Sequence, residues 1–209
     1  MKRWMIFTIL LFSALAGGCA TTSATDEPSP KAAAAPAVAF PEYKGEKTTL
    51  AVLPLGLSQA AAKRYPHLQD SAVGMGMHNL ITDALYRTKR FIFVEQDEKV
   101  VKDVFKKQWL AATGAVDQSS AVELGKVLGA KKVVYGEVFD YSEGKDESVT
   151  GMWKSVKPRI RVGVQVRLVD VETLEYVPAS GTATGPDWGE AARMAVESAV
   201  SRLIGQLPH

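Results

Sequence analysis

The most regular pattern in the chain is an alternation of apolar and polar residues over residues 159–170. Successive side chains of a strand point to opposite faces, so the alternation predicts a strand with one buried and one solvated face. After a turn at residues 171–174, a further strand is predicted over residues 175–184, and we expect the two strands to form an antiparallel hairpin. The buried face of the first strand would carry Ile160, Val162, Val164, Val166 and Leu168.

Three more strands are predicted earlier in the chain, over residues 49–57, 90–95 and 132–141. Pro54 lies inside the first of them and cannot donate a hydrogen bond to a neighbouring strand. It therefore indicates either the edge of a sheet or the end of a strand. The segment between residues 141 and 159 is mostly polar, and we expect it to form a loop.

Apolar residues at steps of three and four predict four helices, over residues 73–85, 97–113, 120–128 and 188–204. Asp70 and Ser71 precede the first helix as candidate caps. Ser120 and Glu123 form a capping-box pattern, and Gly129 follows where a left-handed residue can close the third helix. The order of elements predicts an α/β (α+β) fold, a single domain whose mixed β-sheet has helices packed on it.

Residues 1–19 have the pattern of a secretory signal peptide rather than of a membrane span. Lys2 and Arg3 precede an apolar run over residues 5–12, and small residues follow at 13–18. A membrane-spanning helix needs about 20 apolar residues, more than this run contains. We therefore expect the segment to be cleaved.

Cys19 is the only cysteine of the chain and ends the sequence Leu-Ala-Gly-Gly-Cys. That sequence resembles the bacterial lipobox, whose cysteine receives a diacylglycerol before cleavage, and the resemblance implies lipidation at Cys19. The alternative is an ordinary signal peptide followed by an incidental cysteine. Ala20 stands where an aspartate typically retains such lipoproteins at the inner membrane, so we expect an anchor in the outer membrane. A lone cysteine cannot form an internal disulfide.

Residues 20–47 are rich in Thr, Ser, Ala and Pro and have no apolar periodicity. This composition is typical of a disordered tether. Treated as a flexible coil, the tether spans on the order of 30 Å, which keeps the domain near the membrane surface. We expect residues 48–209 to form one periplasmic domain that folds without the tether.

The charge of the mature chain argues against nucleic acid as a partner. Removal of the residues before Cys19 takes away Lys2 and Arg3, so 23 of the 25 Lys and Arg residues remain against 23 Asp and Glu residues. A nucleic-acid-binding protein ordinarily carries a basic excess on one face. The balanced charge therefore does not indicate a nucleic-acid partner.

No residue pattern in the sequence indicates catalysis, a cofactor or a metal ion. His67, His78 and His209 are the only histidines, and no His-Glu-x-x-His motif accompanies them. The stretch from Gly74 to Asn79 lacks the third glycine of a dinucleotide-binding loop. A Gly-x-Ser-x-Gly motif is absent too. We therefore predict a non-enzymatic protein with no catalytic, cofactor-binding or metal-binding residues.

Four stretches of the chain resemble the CsgG family, the curli-secretion lipoproteins and their relatives: residues 50–55, 75–95, 123–136 and 162–171. The third stretch is the most distinctive. Within it, Gly129 suits the end of a helix, and Gly136 permits close approach of a neighbouring backbone. The resemblance implies a CsgG-like fold, similar to the N-terminal domain of TolB.

The resemblance implies an outer-membrane-anchored periplasmic factor that aids assembly or secretion of surface material through contacts with envelope proteins. It leaves homo-oligomerisation open. The alternative is an activator of a peptidoglycan synthase, because related activators of penicillin-binding proteins use a similar tethered domain. Channel-forming members insert two long hairpins per subunit into the outer membrane, and each spanning strand takes about 9–11 residues. The polar segment over residues 142–156 is too short for such a hairpin, so we expect a relative without membrane-spanning insertions.

Overall fold

The computed structural model describes residues 38–68, 73–94 and 118–208. Cys19, His209 and the predicted helix over residues 97–113 lie outside them. The described strands are β1 (Thr48–Val52), β2 (Gly56–Leu57), β3 (Phe91–Phe93), β4 (Lys132–Thr150), β5 (Trp153–Asp170) and β6 (Tyr176–Gly185). The described helices are α1 (Gln59–Arg64), α2 (Val73–Arg87), α3 (Gln118–Val127) and α4 (Trp188–Gly205), and a single 3₁₀ turn covers Pro66–Leu68.

The described strands form one mixed sheet in the order β3-β1-β4-β5-β6, and β2 also pairs with β4. The pairs β1/β3, β1/β4 and β2/β4 are parallel, whereas β4, β5 and β6 form an antiparallel meander. The predicted fold class, a mixed sheet with helices packed on it, is confirmed. The predicted hairpin of β5 and β6 is confirmed as well.

Pro54 marks the end of a strand and not the edge of the sheet. β1 lies between β3 and β4, so it is an interior strand, and it ends at Val52. The Leu53 amide still donates to the Val134 carbonyl at 2.8 Å, and pairing with β4 resumes at Gly56. Because proline has no amide proton to donate to a neighbouring strand, strand pairing is interrupted at Pro54 before β2.

β5 separates two apolar clusters, one on each face of the sheet, so the face that the alternation predicts to be solvated is in fact partly covered. On one face, Val162, Val164, Val166 and Leu168 are buried against α2 and α4. On the other face, Val169 is buried with residues of α3 and of the neighbouring strands. The helices supply buried residues at the predicted spacing: Met77, Ile81, Ala84 and Leu85 from α2, and Ala192, Ala195, Val196, Ala199, Val200 and Leu203 from α4.

The third predicted helix begins earlier than the capping-box pattern suggests. α3 starts at Gln118, so Ser120 lies inside the helix and not at its cap. The Gln118 side chain donates to the Leu174 carbonyl at 2.8 Å, which ties the first turn to the β5–β6 connection. At the other end Gly129 has a φ of 69°, and the Ala130 amide donates to the Gly125 carbonyl at 3.0 Å. The helix end predicted at Gly129 is therefore confirmed.

Residues 38–47, which the sequence assigns to the tether, contact the domain through two aromatic side chains. The Arg87 guanidinium lies 5.9 Å from the centroid of the Phe40 ring, and the Arg90 guanidinium lies 4.4 Å from that of Tyr43. Phe40 also packs against the buried cluster beneath α2 and α4. The described residues 38–47 accordingly belong to the same compact unit as the rest of the described domain. The folded part begins before residue 48 because Phe40 and Tyr43, isolated aromatic residues in a polar segment, contact arginines that lie far from them in the sequence.

A chain that begins at Glu46 is expected to fold, but to be less stable than a chain that begins at Val38. The shorter chain lacks Phe40 and Tyr43, and an arginine–aromatic contact contributes roughly 0.5–1 kcal/mol at an exposed site. Thermal unfolding followed by circular dichroism should show one transition for each chain, with the lower midpoint for the shorter one. Equal midpoints would contradict a stabilising role for these two contacts.

None of the helices in the described residues combines the length and the apolar character that are needed to cross a membrane.

Candidate interaction surface

Strands β4 and β5 continue beyond the rest of the sheet as a two-stranded hairpin. The pairing of β5 with β6 ends at Ile160 and Gly185, and within the described part of the chain residues 143–159 pair only across the hairpin. Every residue from 143 to 159, which we call the distal hairpin, is exposed. The prediction of a polar loop in this segment is therefore wrong, since its polar residues continue both strands.

Opposite charges face one another across the distal hairpin. The Lys154 ammonium lies 2.9 Å from the Glu147 carboxylate, and the Arg159 guanidinium lies 3.2 Å from that of Asp146. Cross-strand ion pairs of this kind stabilise a hairpin by roughly 0.2–1 kcal/mol each. Neither strand of the distal hairpin has a buried face, and ion pairs between the strands help to hold them together. The apolar and polar pattern along a single strand does not predict such pairing.

One face at the base of the distal hairpin is held by an aromatic cluster. The ring of Tyr141 contacts Tyr65 edge-on at a centroid distance of 4.9 Å and Trp188 at 5.5 Å. Its hydroxyl donates to the Glu143 carboxylate. Burial raises the pKa of Tyr141 well above its usual range, and the hydrogen bond to Glu143 and the nearby charge raise it further. Tyr141 therefore stays protonated as a donor.

A β-bulge holds the opposite face of the base. The register shifts between Val138 and Asp140, which leaves Phe139 as the extra residue. A Cβ at Gly163 would lie 2.8 Å from the Phe139 ring, so the ring covers the glycine directly. Just beyond, the Arg161 guanidinium pairs with the Asp140 carboxylate at 3.1 Å. With contacts on both faces, the base fixes the direction in which the distal hairpin projects.

The end of the distal hairpin carries three large apolar side chains that are almost fully exposed. Val149, Met152 and Trp153 are 71%, 99% and 82% accessible, and we call them the apolar tip. Gly151, with a φ of 61°, makes the turn between the strands. Solvated tips of soluble domains ordinarily carry polar residues, so three large apolar side chains exposed near the end of one projecting hairpin favour an interaction site. The apolar tip is therefore the candidate functional surface.

Sequence reasoning missed the apolar tip because it assigned the whole segment to a loop. Asp146 and Glu147, which the sequence places in a solvated loop, instead pair across the hairpin and remain exposed. A local signal was present, since charged residues of opposite sign flank Gly151 at Glu147 and Lys154. A hairpin turn at Gly151 would have brought Met152 and Trp153 to the end of the hairpin.

The described residues contain no candidate metal centre. Over residues 38–68, 73–94 and 118–208, no group of three or more His, Cys, Asp or Glu side chains could hold a metal ion. Of the three histidines, His78 is the one whose side chain the structure describes, and it lies on α2. Cys19, the predicted lipidation site, lies outside the described residues. Lipidation at Cys19 therefore stays a prediction.

Two carboxylates of the sheet have shifted pKa values with structural causes. Burial tends to raise the pKa of Asp170, but hydrogen bonds from the Thr173 and Glu172 amides and from the Lys132 ammonium, 3.0 Å away, lower it overall. Burial raises the pKa of Glu137, and the charge of Arg167 opposes that rise. Asp170 therefore orders the β5–β6 turn.

His78 is a partly buried histidine on α2. Burial lowers its pKa, and a hydrogen bond with the Leu53 backbone partly offsets that effect. Its Nδ1 atom is buried and has no hydrogen-bond partner within the described part of the chain. The folded domain therefore favours neutral His78.

The domain is expected to lose stability as the pH falls below about 6.5, the usual pKa of an unfolded histidine. In that range the unfolded chain takes up a proton at His78, whereas the folded chain does so only at lower pH, so unfolding becomes easier. Urea unfolding at pH 7.5 and 5.5 should show a smaller pH difference in His78→Gln than in the wild type. Identical pH differences in the two proteins would contradict this assignment.

Three solved structures of other proteins resemble this fold at low sequence identity. The PelC dodecamer from Paraburkholderia phytofirmans is 17% identical, with 80% of this chain and 94% of that chain covered and a TM-score of 0.46. The lipoprotein GNA1162 from Neisseria meningitidis is 19% identical, with 76% and 99% covered and a TM-score of 0.43. The C-terminal domain of LpoB from Salmonella enterica is 16% identical, with 68% and 86% covered and a TM-score of 0.38.

The family assignment comes from the sequence. No curated protein matches the chain. The family model for CsgG, described as a curli production assembly/transport component, matches residues 32–207. That match spans well over half of the chain and includes the whole antiparallel meander with the distal hairpin. The chain therefore belongs to the CsgG family.

Proposed function

We propose that this protein is a non-enzymatic assembly or secretion factor of the bacterial envelope that acts through contacts with other proteins. Its place is the periplasmic side of the outer membrane, with Cys19 as the lipid anchor and the segment after it as the tether. Membership of a family of assembly and transport components supports this role. The single observation that carries it is the apolar tip on a projecting hairpin.

The apolar tip suits a docking role because its exposure has no benefit within the isolated domain. Met152 and Trp153 make no contact that would bury them, yet the hairpin beneath them is held on both faces at its base. Aromatic and methionine side chains are enriched at the centres of protein interfaces. A rigid support keeps them in place before a partner binds, which lowers the entropic cost of binding.

The predicted lipid anchor is tested by metabolic labelling. Radioactive palmitate is expected to label the wild-type protein and not Cys19→Ala, because the acyl chains are attached through that residue. The labelled protein should fractionate with the outer membrane, since three acyl chains anchor stably where one is marginal. Label that persists in Cys19→Ala would contradict the assignment.

The role of the apolar tip is tested by affinity purification from detergent-solubilised envelopes. The bait is the full lipidated protein, compared with the double variant Met152→Ser with Trp153→Ser. The matched control is Ser148→Ala with Ser155→Ala, a directly paired and exposed position of the same hairpin. We expect specific partners to be lost from the tip variant and retained by the control. Partners retained equally by all three baits would overturn the assignment of the tip.

The identity of a tip-dependent partner decides between the two functional classes. Components of an export or assembly system would support the proposal, and further copies of this chain would indicate a homo-oligomeric form of it. Recovery of a peptidoglycan synthase would instead favour the activator alternative.

A further inference from the structure

The apolar tip contains a methionine whose thioether is open to solvent. Met152 is 99% accessible, the highest value among the large apolar residues that the structure describes. It follows Gly151 in the two-residue turn that joins the last cross-strand pair, Thr150 and Trp153. The base of the distal hairpin is held on both faces, so this turn projects into solvent with the thioether at its end.

The other methionines whose side chains are described are shielded from solvent. Met77 on α2 is 1% accessible and belongs to the apolar cluster beneath α2 and α4. Met194 on α4 is partly buried. An oxidant reaches a sulfur atom in proportion to its exposure. A small dose of oxidant should therefore modify Met152 before it modifies either of these two residues.

A peroxide oxidises a thioether by transfer of one oxygen atom. A lone pair of the sulfur attacks one peroxide oxygen, so an S–O bond forms and the O–O bond breaks. The sulfur is oxidised by two electrons and the peroxide is reduced. The proton of the transferred oxygen passes to the departing oxygen, which leaves as water when the oxidant is hydrogen peroxide. Methionine sulfoxide reductases reverse the step with a dithiol, which becomes a disulfide while the sulfoxide oxygen leaves as water.

Oxidation of Met152 would change the surface of the tip and leave the fold intact. Its side chain is almost fully exposed, so no packing is lost when the sulfur gains an oxygen. The strands beneath it remain paired, and the ion pair of Glu147 with Lys154 is not affected. The same change at Met77 would force a polar oxygen into the core, which destabilises a protein. Met152, unlike Met77, can therefore be oxidised at little cost to stability.

We propose that Met152 is a site of reversible oxidation by peroxides, and that its sulfoxide prevents the apolar tip from docking. The inference rests on the proposed function, because it takes the tip as the docking surface. The sulfoxide adds a hydrogen-bond acceptor beside Val149 and Trp153, and burial of that acceptor without a donor costs free energy. A docked partner would shield the thioether, so oxidation acts on the free protein. At the proposed place in the envelope, the tip meets external oxidants before they reach the cytoplasm.

The modification site is tested by peroxide titration of the full lipidated protein in detergent. Peptide mass spectrometry follows each methionine of the mature chain, and circular dichroism follows the fold. We expect Met152 to be oxidised at least about tenfold faster than Met77, with an unchanged melting temperature at the dose that converts Met152. Oxidation of Met152 no faster than that of Met77, or a lower melting temperature at that dose, would overturn the proposal.

The effect on docking is tested by affinity purification from detergent-solubilised envelopes, with the oxidised protein as bait after removal of the peroxide. We expect it to capture tip-dependent partners at least about fivefold less than the untreated bait, because the docked sulfoxide is a buried polar group without a partner. Reductases for both sulfoxide epimers, supplied with dithiothreitol, should restore capture. Undiminished capture, or capture that stays low after mass spectrometry shows that the thioether has returned, would overturn the proposal.

Two leucine variants assign the effect to one residue. Met152→Leu cannot form a sulfoxide, so its capture of partners, compared with its own untreated level, should not respond to peroxide. Met194→Leu, the matched control on α4, should respond as the wild type does. A Met152→Leu bait that loses capture on oxidation would overturn the proposal. If Met152→Leu captures nothing before treatment, reductase rescue in Met194→Leu decides: restored capture supports the proposal, and its absence overturns it.

Failure of this inference and failure of the proposed function give different results. If the variant Met152→Ser with Trp153→Ser captures the same partners as the wild type, the tip is not the docking surface and both proposals fail. If that variant loses partners while the oxidised wild type keeps them, the tip stands as the docking surface and the oxidation switch fails.

Discussion

Gly136→Ala is expected to destabilise the domain by about 3 kcal/mol, at the upper end of the range for overpacking. A Cβ at this position of β4 would collide with the Gln165 carbonyl oxygen and would lie 3.0 Å from the Val166 Cα. Both neighbours are backbone atoms of β5, so no side-chain rotation relieves the clash. The two strands would have to separate at the centre of the sheet, where Gly136 is paired with Val166.

The same strand offers a matched control in Gly144→Ala. A Cβ at Gly144 would come no nearer than 3.8 Å to the Arg159 carbonyl, an ordinary contact distance. We expect a change within about 0.5 kcal/mol there, as for most exposed substitutions. Urea unfolding followed by circular dichroism gives both values. Similar losses in the two variants would contradict the close approach of the strands at Gly136.

Glu197→Ala is expected to cost a similar amount, about 3 kcal/mol, because it removes the acceptor that two arginines share. The Glu197 side chain on α4 is buried, and its carboxylate lies 2.8 Å from Arg87 Nη2 on α2. Arg193 Nη1 contacts the same carboxylate at 3.3 and 3.4 Å. Without Glu197, two guanidinium groups would remain partly buried with their shared partner gone.

Glu123→Ala provides the control for Glu197→Ala. Glu123 is an exposed glutamate in the middle of α3, and we expect its replacement to change the free energy of unfolding by less than about 0.5 kcal/mol. The two variants remove the same side chain, so their difference isolates the effect of the buried ion pairs. A loss below about 1 kcal/mol in Glu197→Ala would show that water replaces the carboxylate at little cost.

Elements with one buried face were predictable from the sequence because burial imposes a period on the residues. Val162, Val164, Val166 and Leu168 alternate since they line the cluster beneath α2 and α4. The distal hairpin was missed for the same physical reason, because neither of its faces is buried. Its strands depend on partners across the hairpin, such as Glu147 and Lys154, and single-strand periodicity carries no such information.

Neither the start of the folded unit nor the apolar tip could be predicted from the periodicity of the sequence. Phe40 stands alone in a proline-rich segment, and its arginine partner, Arg87, lies on α2. Met152 and Trp153 stand in a charged segment and become a surface feature only once Gly151 turns the chain. The contacts and exposure of such single side chains depend on the tertiary structure and not on the neighbouring sequence. The family resemblance, in contrast, rested on the buried strands and glycines that the fold requires.

The measurement that tests the proposed role most directly is photo-crosslinking in intact cells. A photoreactive phenylalanine analogue is placed at position 152 in the apolar tip or, as a control, at position 182, an exposed residue of β6. The account predicts discrete crosslinked products with an envelope protein from position 152 that are absent from position 182. The same products from both positions, or none from position 152, would contradict a role that depends on protein contacts at the tip.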